Sequence, residues 1–147
     1  MKKKLIIEKT VDDLEGTKTF TKDAVEYFKE GDTVLLYGDL GSGKTLITRY
    51  FVSLLGSNAE VSSPSFSIIN QYDGLPVVNH IDLYRLKDQS ELINLGLEDL
   101  WNGPGINFIE WPEIIEHQLL WSHYRIFIQI NSNKSEWRKF RLFRYYE

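Results

Sequence analysis

The sequence predicts an α/β fold on a mixed, largely parallel sheet, and three observations carry that prediction. Thr33-Val34-Leu35-Leu36-Tyr37 and Ile106-Asn107-Phe108-Ile109 are short apolar runs with the composition of strands buried on both faces. Residues 46–55 place apolar side chains at 47, 51, 54 and 55, the spacing of a helix that packs one face onto such a sheet. Hairpin signals at Asp73-Gly74-Leu75-Pro76 and at residues 131–135 call for antiparallel pairs beside the parallel ones, the second pair at the C-terminal end.

In chain order, residues 4–8 read as a short first strand at a sheet edge, with Lys2, Lys3 and Lys4 fraying into solvent. Thr10 to Thr19 is polar and rich in capping side chains. Helical periodicity becomes clear at Phe20, Ala24, Val25, Tyr27 and Phe28, and Gly31 is the expected stop. The strand at 33–37 and the helix at 46–55 follow, the latter closed by Gly56. Ser67 to Tyr72 and Val77 to Asp82 are strands joined by the turn at 73–76. Gln89 to Leu95 is a predicted helix ending at Gly96, with one further turn over Leu97 to Trp101. The strand at 106–109 ends in Glu110-Trp111-Pro112, Glu113 to Leu120 is a predicted short helix, and Tyr124 to Ile130 and Trp137 to Tyr146 are the last strands. No repeat or linker interrupts the 147 residues, so one domain spanning 1–147 is expected.

Composition excludes several functions. There is no cysteine, which removes disulfides, thiolate nucleophiles and cysteine zinc sites. The net charge of −4 argues against nucleic-acid binding by the surface as a whole, without excluding a local basic patch. Met1-Lys2-Lys3-Lys4 has the charge of a signal peptide, but only Leu5-Ile6-Ile7 follow before Glu8. No apolar run approaches the roughly 20 residues that cross a bilayer. The expectation is a soluble, cytoplasmic protein with no membrane partner.

The chemistry concentrates in Gly38-Asp39-Leu40-Gly41-Ser42-Gly43-Lys44-Thr45, which fills every fixed position of the G-x-x-x-x-G-K-[ST] phosphate loop. Its context, after a buried strand and before a helix, is what the chemistry needs. The glycines let backbone N–H groups approach a polyphosphate, and the helix N-terminus adds its positive dipole end. Lys44 is placed to reach the β- and γ-phosphates and the Thr45 hydroxyl to coordinate Mg²⁺. The fold expected around such a loop is the three-layer sandwich of P-loop NTPases.

A phosphate loop needs an acidic partner for Mg²⁺, and two strands end in one: Asp82 after Val77-Val78-Asn79-His80-Ile81, and Glu110 after Ile106 to Ile109. A carboxylate at the end of a buried strand is costly unless paired or metal-bound. Structural pairing with Arg85 is the alternative. Ser63-Pro64-Ser65-Phe66 reads equally as a switch loop carrying the Ser65 hydroxyl to the metal or γ-phosphate and as a capped turn. His80 reads as a proton shuttle or a satisfied strand histidine. Trp111 reads as a shield, a base-stacking contact or a core residue.

The phosphate loop, Ser63-Pro64-Ser65-Phe66, His80-Ile81-Asp82-Leu83-Tyr84-Arg85-Leu86 and Glu110-Trp111-Pro112-Glu113 occur in one order. With that spacing, the stretch from about Phe20 to Glu113 resembles the bacterial TsaE (YjeE) family. This is the ATPase component of tRNA threonylcarbamoyladenosine biosynthesis. Ser65 stands where the family usually has threonine, and Ser42 where alanine is common. The resemblance implies a small P-loop ATPase, weak alone, that works with TsaD- and TsaB-like proteins. It implies ATP and Mg²⁺ as cofactors, with the metal at Thr45 and Glu110, Asp82 in support and Ser65 as a switch residue. Hydrolysis would then reset the complex between turnovers rather than make the new bond.

Three rival readings compete. Asn133-Lys134-Ser135-Glu136 resembles the guanine-reading Asn-Lys-x-Asp of GTPases, but glutamate replaces aspartate and a strand follows. A small-metabolite kinase would share the loop but needs an arginine-bearing lid, and only Arg49 and Arg85 lie near the motifs in sequence. Trp137 to Tyr146 interleaves Arg138, Lys139, Arg141 and Arg144 with five aromatic residues. It reads as an edge strand with packed rings, or as a platform for direct contact with tRNA or a partner protein.

Overall fold

The computed structural model describes residues 1–61, 68–101 and 103–147. Its strands are β1 (Lys2–Val11), β2 (Thr33–Tyr37), β3 (Ile69–Tyr72), β4 (Val78–Asp82), β5 (Ile106–Glu110), β6 (His123–Asn131) and β7 (Lys134–Tyr146). They form one sheet in the order β1-β7-β6-β2-β5-β4-β3. The central ladders, β6–β2, β2–β5 and β5–β4, are parallel. The outer ones, β1–β7, β7–β6 and β4–β3, are antiparallel. The sheet is therefore mixed, with antiparallel pairing contributed by both predicted hairpins.

Alternation along the strands sorts the core into two layers. Val34, Leu36, Ile106, Phe108, Ile126, Phe140 and Leu142 face α1 (Leu14–Val25) and α2 (Lys44–Leu54). Ring stacking of Phe20 on Phe140 (4.3 Å) and of Phe51 on Phe108 (5.0 Å) locks both helices to the sheet. Leu35, Ile81 and Ile109 face the opposite side. There Leu83, Leu92, Ile115 and Leu119 cover them, together with Leu97 of the short helix α3 (Leu97–Trp101). The three-layer sandwich is present, with a thin third layer. Asn79 and Asn107, which interrupt the apolar strands, are satisfied by each other at 2.9 Å and by Gln71, Thr33 and the Leu100 carbonyl.

Several elements differ from the sequence reading. β1 runs to ten residues, because β7 supplies a partner along its length. Helix α1 starts at Leu14, where the Asp13 carboxylate accepts from the Gly16 N–H at 2.8 Å. It ends before Gly31, since Phe28 leaves the helix to pack edge-on against Phe51, Phe108 and Tyr124. The predicted helices at 89–95 and 113–120 are instead pairs of 3₁₀ turns, Gln89–Glu91 with Ile93–Leu95 and Pro112–Ile114 with Glu116–Gln118. Segments this short do not repay α-helix nucleation, and i→i+3 bonds close with fewer fixed residues.

The C-terminal segment is also placed differently. β7 lies between β1 and β6 rather than at an edge. Its alternation sends the basic residues to separate tasks. Arg138 meets the phosphate loop, Arg144 donates to the Tyr124 hydroxyl at 2.7 Å, Lys139 pairs with Glu8 at 3.2 Å, and Arg141 is exposed. Among the described residues no helix is long and apolar enough to cross a membrane.

Candidate nucleotide site

The site lies beyond the C-terminal ends of the parallel strands β2, β4 and β5. Residues 38–43 leave β2 and turn back on themselves, with the Ser42 N–H bonded to the Asp39 carbonyl at 3.0 Å. The close packing explains Gly38: a Cβ there would fall 2.3 Å from Ser42 Oγ. Gly43 is the N-cap of α2 at φ 111°, ψ 19°, a conformation that side chains disfavour. The first bond of α2 runs from the Ile47 N–H to the Gly43 carbonyl at 2.9 Å, so the N–H groups just before it have no intrahelical acceptor. Leu40 rides at the exposed tip of the loop.

Lys44 is buried and folds back over its own loop. Its Nζ donates to the Gly38 carbonyl at 2.5 Å and the Asp39 carbonyl at 3.1 Å. It also sits 3.9 Å from the centroid of the Trp111 ring. Burial pushes its pKa below the usual lysine value, against the opposing pull of Glu110, Glu113, Asp82 and Asp39.

The acidic half comes from two neighbouring strands. Asp82 and Glu110 are direct partners in the β4–β5 ladder, so both carboxylates end side by side. Asp82 Oδ1 accepts from the Tyr84 N–H at 3.0 Å, tying the turn after β4. Glu110 is 3% exposed, and its Oε2 accepts the Thr45 hydroxyl at 2.9 Å and meets His80 Nε2 at 2.5 Å. His80 is wholly buried, and its Nδ1 has no hydrogen-bond partner among the described residues. A proton on Nδ1 would be an unpaired buried donor, which assigns the Glu110-facing proton to Nε2. His80 thus orients Glu110 rather than opening onto solvent.

Trp111 follows Glu110 at φ 57°, ψ 56°. A left-handed conformation costs a residue with a side chain about 1–2 kcal/mol. It swings the indole over Lys44 and against the Tyr84 ring at 4.9 Å. Gly41 to Leu46 with Leu40, Asp82, Tyr84, Glu110, Trp111 and Arg138 enclose a cleft of about 490 Å³. Arg138 is the contributor that sequence reasoning did not place here: its Nε donates to the Ser42 carbonyl at 2.7 Å. The interleaved charge of its segment was visible; its destination was not. Ser65 and the rest of Ser63-Pro64-Ser65-Phe66 lie outside the described residues.

The donor set suits a hard divalent cation. Among the described residues no group of three or more His, Cys, Asp and Glu could hold a metal unaided. Thr45 and Glu110 offer oxygen ligands beside a phosphate loop, and Mg²⁺ typically takes one or two protein oxygens and completes its shell with phosphate and water. The Thr45 proton is donated to Glu110, which leaves the hydroxyl lone pairs free to face a cation.

A family model described as "TsaE: Threonylcarbamoyl adenosine biosynthesis protein TsaE" matches residues 11–140. The chain belongs to the TsaE family. Its match extends beyond the 20–113 stretch that carries the sequence motifs and takes in β6 and the first half of β7. The chain is 41% identical over 116 residues to the tRNA threonylcarbamoyladenosine biosynthesis protein TsaE of Bacillus subtilis (strain 168), covering 78% of this chain and 72% of that protein. It is 40% identical over 112 residues to the protein of the same name from Rickettsia conorii, covering 75% of this chain and 63% of the relative. A crystal structure of YdiB from Bacillus subtilis superposes with a TM-score of 0.79 at 31% identity, covering 97% of this chain and 87% of that one. The chain shares its P-loop-like α/β fold with that structure.

Proposed function

We propose that this protein binds ATP with Mg²⁺ at the Gly38–Thr45 loop and hydrolyses it in support of threonylcarbamoyl modification of adenosine in tRNA. The observation that carries the reading is the convergence on one cleft of the Lys44 ammonium, the Thr45 hydroxyl and the Glu110 carboxylate. Family membership supports the process, and the geometry supports the roles.

The loop amides, with Asp39, Leu40, Gly41, Ser42 and Gly43 shaping the hollow, receive the polyphosphate. Lys44 exchanges its two loop carbonyls for β- and γ-phosphate oxygens. Thr45 and Glu110 would hold Mg²⁺, whose charge would offset that of the phosphates. Asp82 sits one strand over, paired with Glu110 in the ladder, and orients water at the terminal phosphate. His80 keeps the Glu110 carboxylate aimed at Thr45. Trp111 shields Lys44 from solvent and is displaced from it as the phosphates arrive. Ser65 acts as the switch hydroxyl of its loop.

In this reading the protein is a cytoplasmic ATPase, weak alone, that resets a complex with TsaD- and TsaB-like partners. The test measures ATP hydrolysis by the protein alone and after addition of those partners. Activation in the mixture supports the reading. Strong turnover alone, unchanged by partners, points instead to an independent enzyme.

A further inference from the structure

The guanidinium of Arg138 is tied to three backbone carbonyls. Nε donates to Ser42 O at 2.7 Å, and Nη1 donates to Ser135 O at 2.9 Å and to Trp137 O at 2.7 Å. The last two belong to the start of β7, so the group is anchored there and reaches across to the phosphate loop. Only the Ser42 contact touches the loop, and it fixes one peptide unit in particular.

That peptide joins Ser42 to Gly43. In a planar trans peptide the C=O and N–H vectors are antiparallel. Holding the Ser42 carbonyl toward β7 therefore turns the Gly43 N–H away from β7. Gly43 is also the residue with least steric resistance to rotation of that unit, since it carries no Cβ and sits at φ 111°. Loss of the Arg138 contact removes one restraint on the orientation of that peptide, and a rotated unit would place a carbonyl where an anion needs an N–H.

We infer that Arg138 is a positioning residue that presets the Gly43 amide for phosphate by holding the carbonyl on the other side of the same peptide, that of Ser42. The inference rests on the phosphate-binding role proposed for the loop. It gives β7 a part in nucleotide binding, although its first residue lies 90 positions beyond Lys44. The cationic charge close to the loop favours the same ligand, so charge and orientation have to be separated by experiment.

The experiment titrates inorganic pyrophosphate, and separately ATP, into ¹⁵N-labelled wild type and Arg138→Met, at 0.1 M and 0.5 M salt. In wild type the Gly43 amide proton is expected to move downfield on binding. In Arg138→Met the Gly43 resonance is expected to be displaced before ligand is added, amides of the central strands unmoved, and affinity for both ligands about tenfold weaker. Because exposed charge effects are largely screened over ~10 Å at 0.1 M and ~3–5 Å at 0.5 M salt, an orientation effect keeps most of its tenfold loss at the higher salt. A loss that disappears at 0.5 M salt, or wild-type affinity in Arg138→Met, overturns the inference. If Arg138→Met fails to fold, Arg138→Lys serves, since one ammonium cannot span the three carbonyls. A loss of threefold or more is expected there, and unchanged affinity is equally contradictory. Wild type that binds neither ligand would refute the phosphate role of the loop itself, an outcome distinct from failure of the Arg138 inference.

Discussion

Glu110→Gln isolates charge from shape at the centre of the site. One carboxylate oxygen, Oε2, accepts from Thr45 Oγ1 at 2.9 Å and faces His80 Nε2 at 2.5 Å, in a setting only 3% exposed. A glutamine carbonyl can keep both donors but without the charge. Hydrogen bonds to charged groups contribute about 1.5–3 kcal/mol and neutral ones about 0.5–1.5 kcal/mol, so the two together lose about 2 kcal/mol. Relief of burying an anion offsets part of that loss. At about 2–4 °C per kcal/mol for a domain of this size, Tm falls by at most about 4–8 °C. Glu110→Ala is expected to be worse, because it strands the wholly buried His80 donor at about 1–3 kcal/mol and leaves a cavity where the Glu110 side chain packed. Calorimetric unfolding gives the stability order, and ATP titration with and without Mg²⁺ gives the functional one. Glu110→Gln should keep Mg-free ATP binding and lose the increment that Mg²⁺ provides. A full Mg²⁺ increment in Glu110→Gln, or a glutamine variant less stable than the alanine one, would refute the reasoning.

Three further expectations follow from the geometry. Lys44 titrates below the ordinary lysine range because it is buried, and phosphate will raise it again. ATP binding should therefore take up protons in the alkaline window between the lowered pKa and 10.5, measured in wild type as a buffer-dependent binding enthalpy that disappears at pH values below that window. The left-handed Trp111 should be relieved by Trp111→Gly, raising stability where strain outweighs the lost indole packing on Lys44 and Tyr84. Tryptophan emission of wild type, compared with Trp111→Phe, should show that the change on adding ATP comes from position 111. Burial holds His123 below its ordinary value of 6.5, so the unfolded chain binds more protons as pH drops through that window. Stability is full above 6.5 and falls in acid; His123→Phe, which keeps a ring against Tyr145, should flatten that slope in urea titrations at stepped pH.

What was legible in the sequence was what is local. The β2–loop–α2 unit announces itself through adjacent residues, and Asp82 and Glu110 through their position at the ends of apolar runs. Their meeting across one ladder follows from parallel pairing, which the pattern also suggested. What was not legible depends on partners distant in the chain. Nothing in Arg138 marks it as a ligand of a carbonyl 96 residues earlier, because backbone acceptors leave no sequence signature. β7 read as an edge strand since edge and interior strands differ in their neighbours rather than their residues. The 3₁₀ turns at 89–95 and 112–118 read as helices because their apolar residues recur at spacings that both geometries share.

The account turns on Lys44 and its loop as the seat of a Mg–ATP complex. Calorimetric titration of MgATP into wild type and Lys44→Ala tests this most directly. The expected result is one site per chain in wild type, lost or weakened at least a hundredfold in Lys44→Ala, with both proteins unfolding cooperatively. Absence of binding to the wild type, or equal affinity in the two proteins, would contradict it.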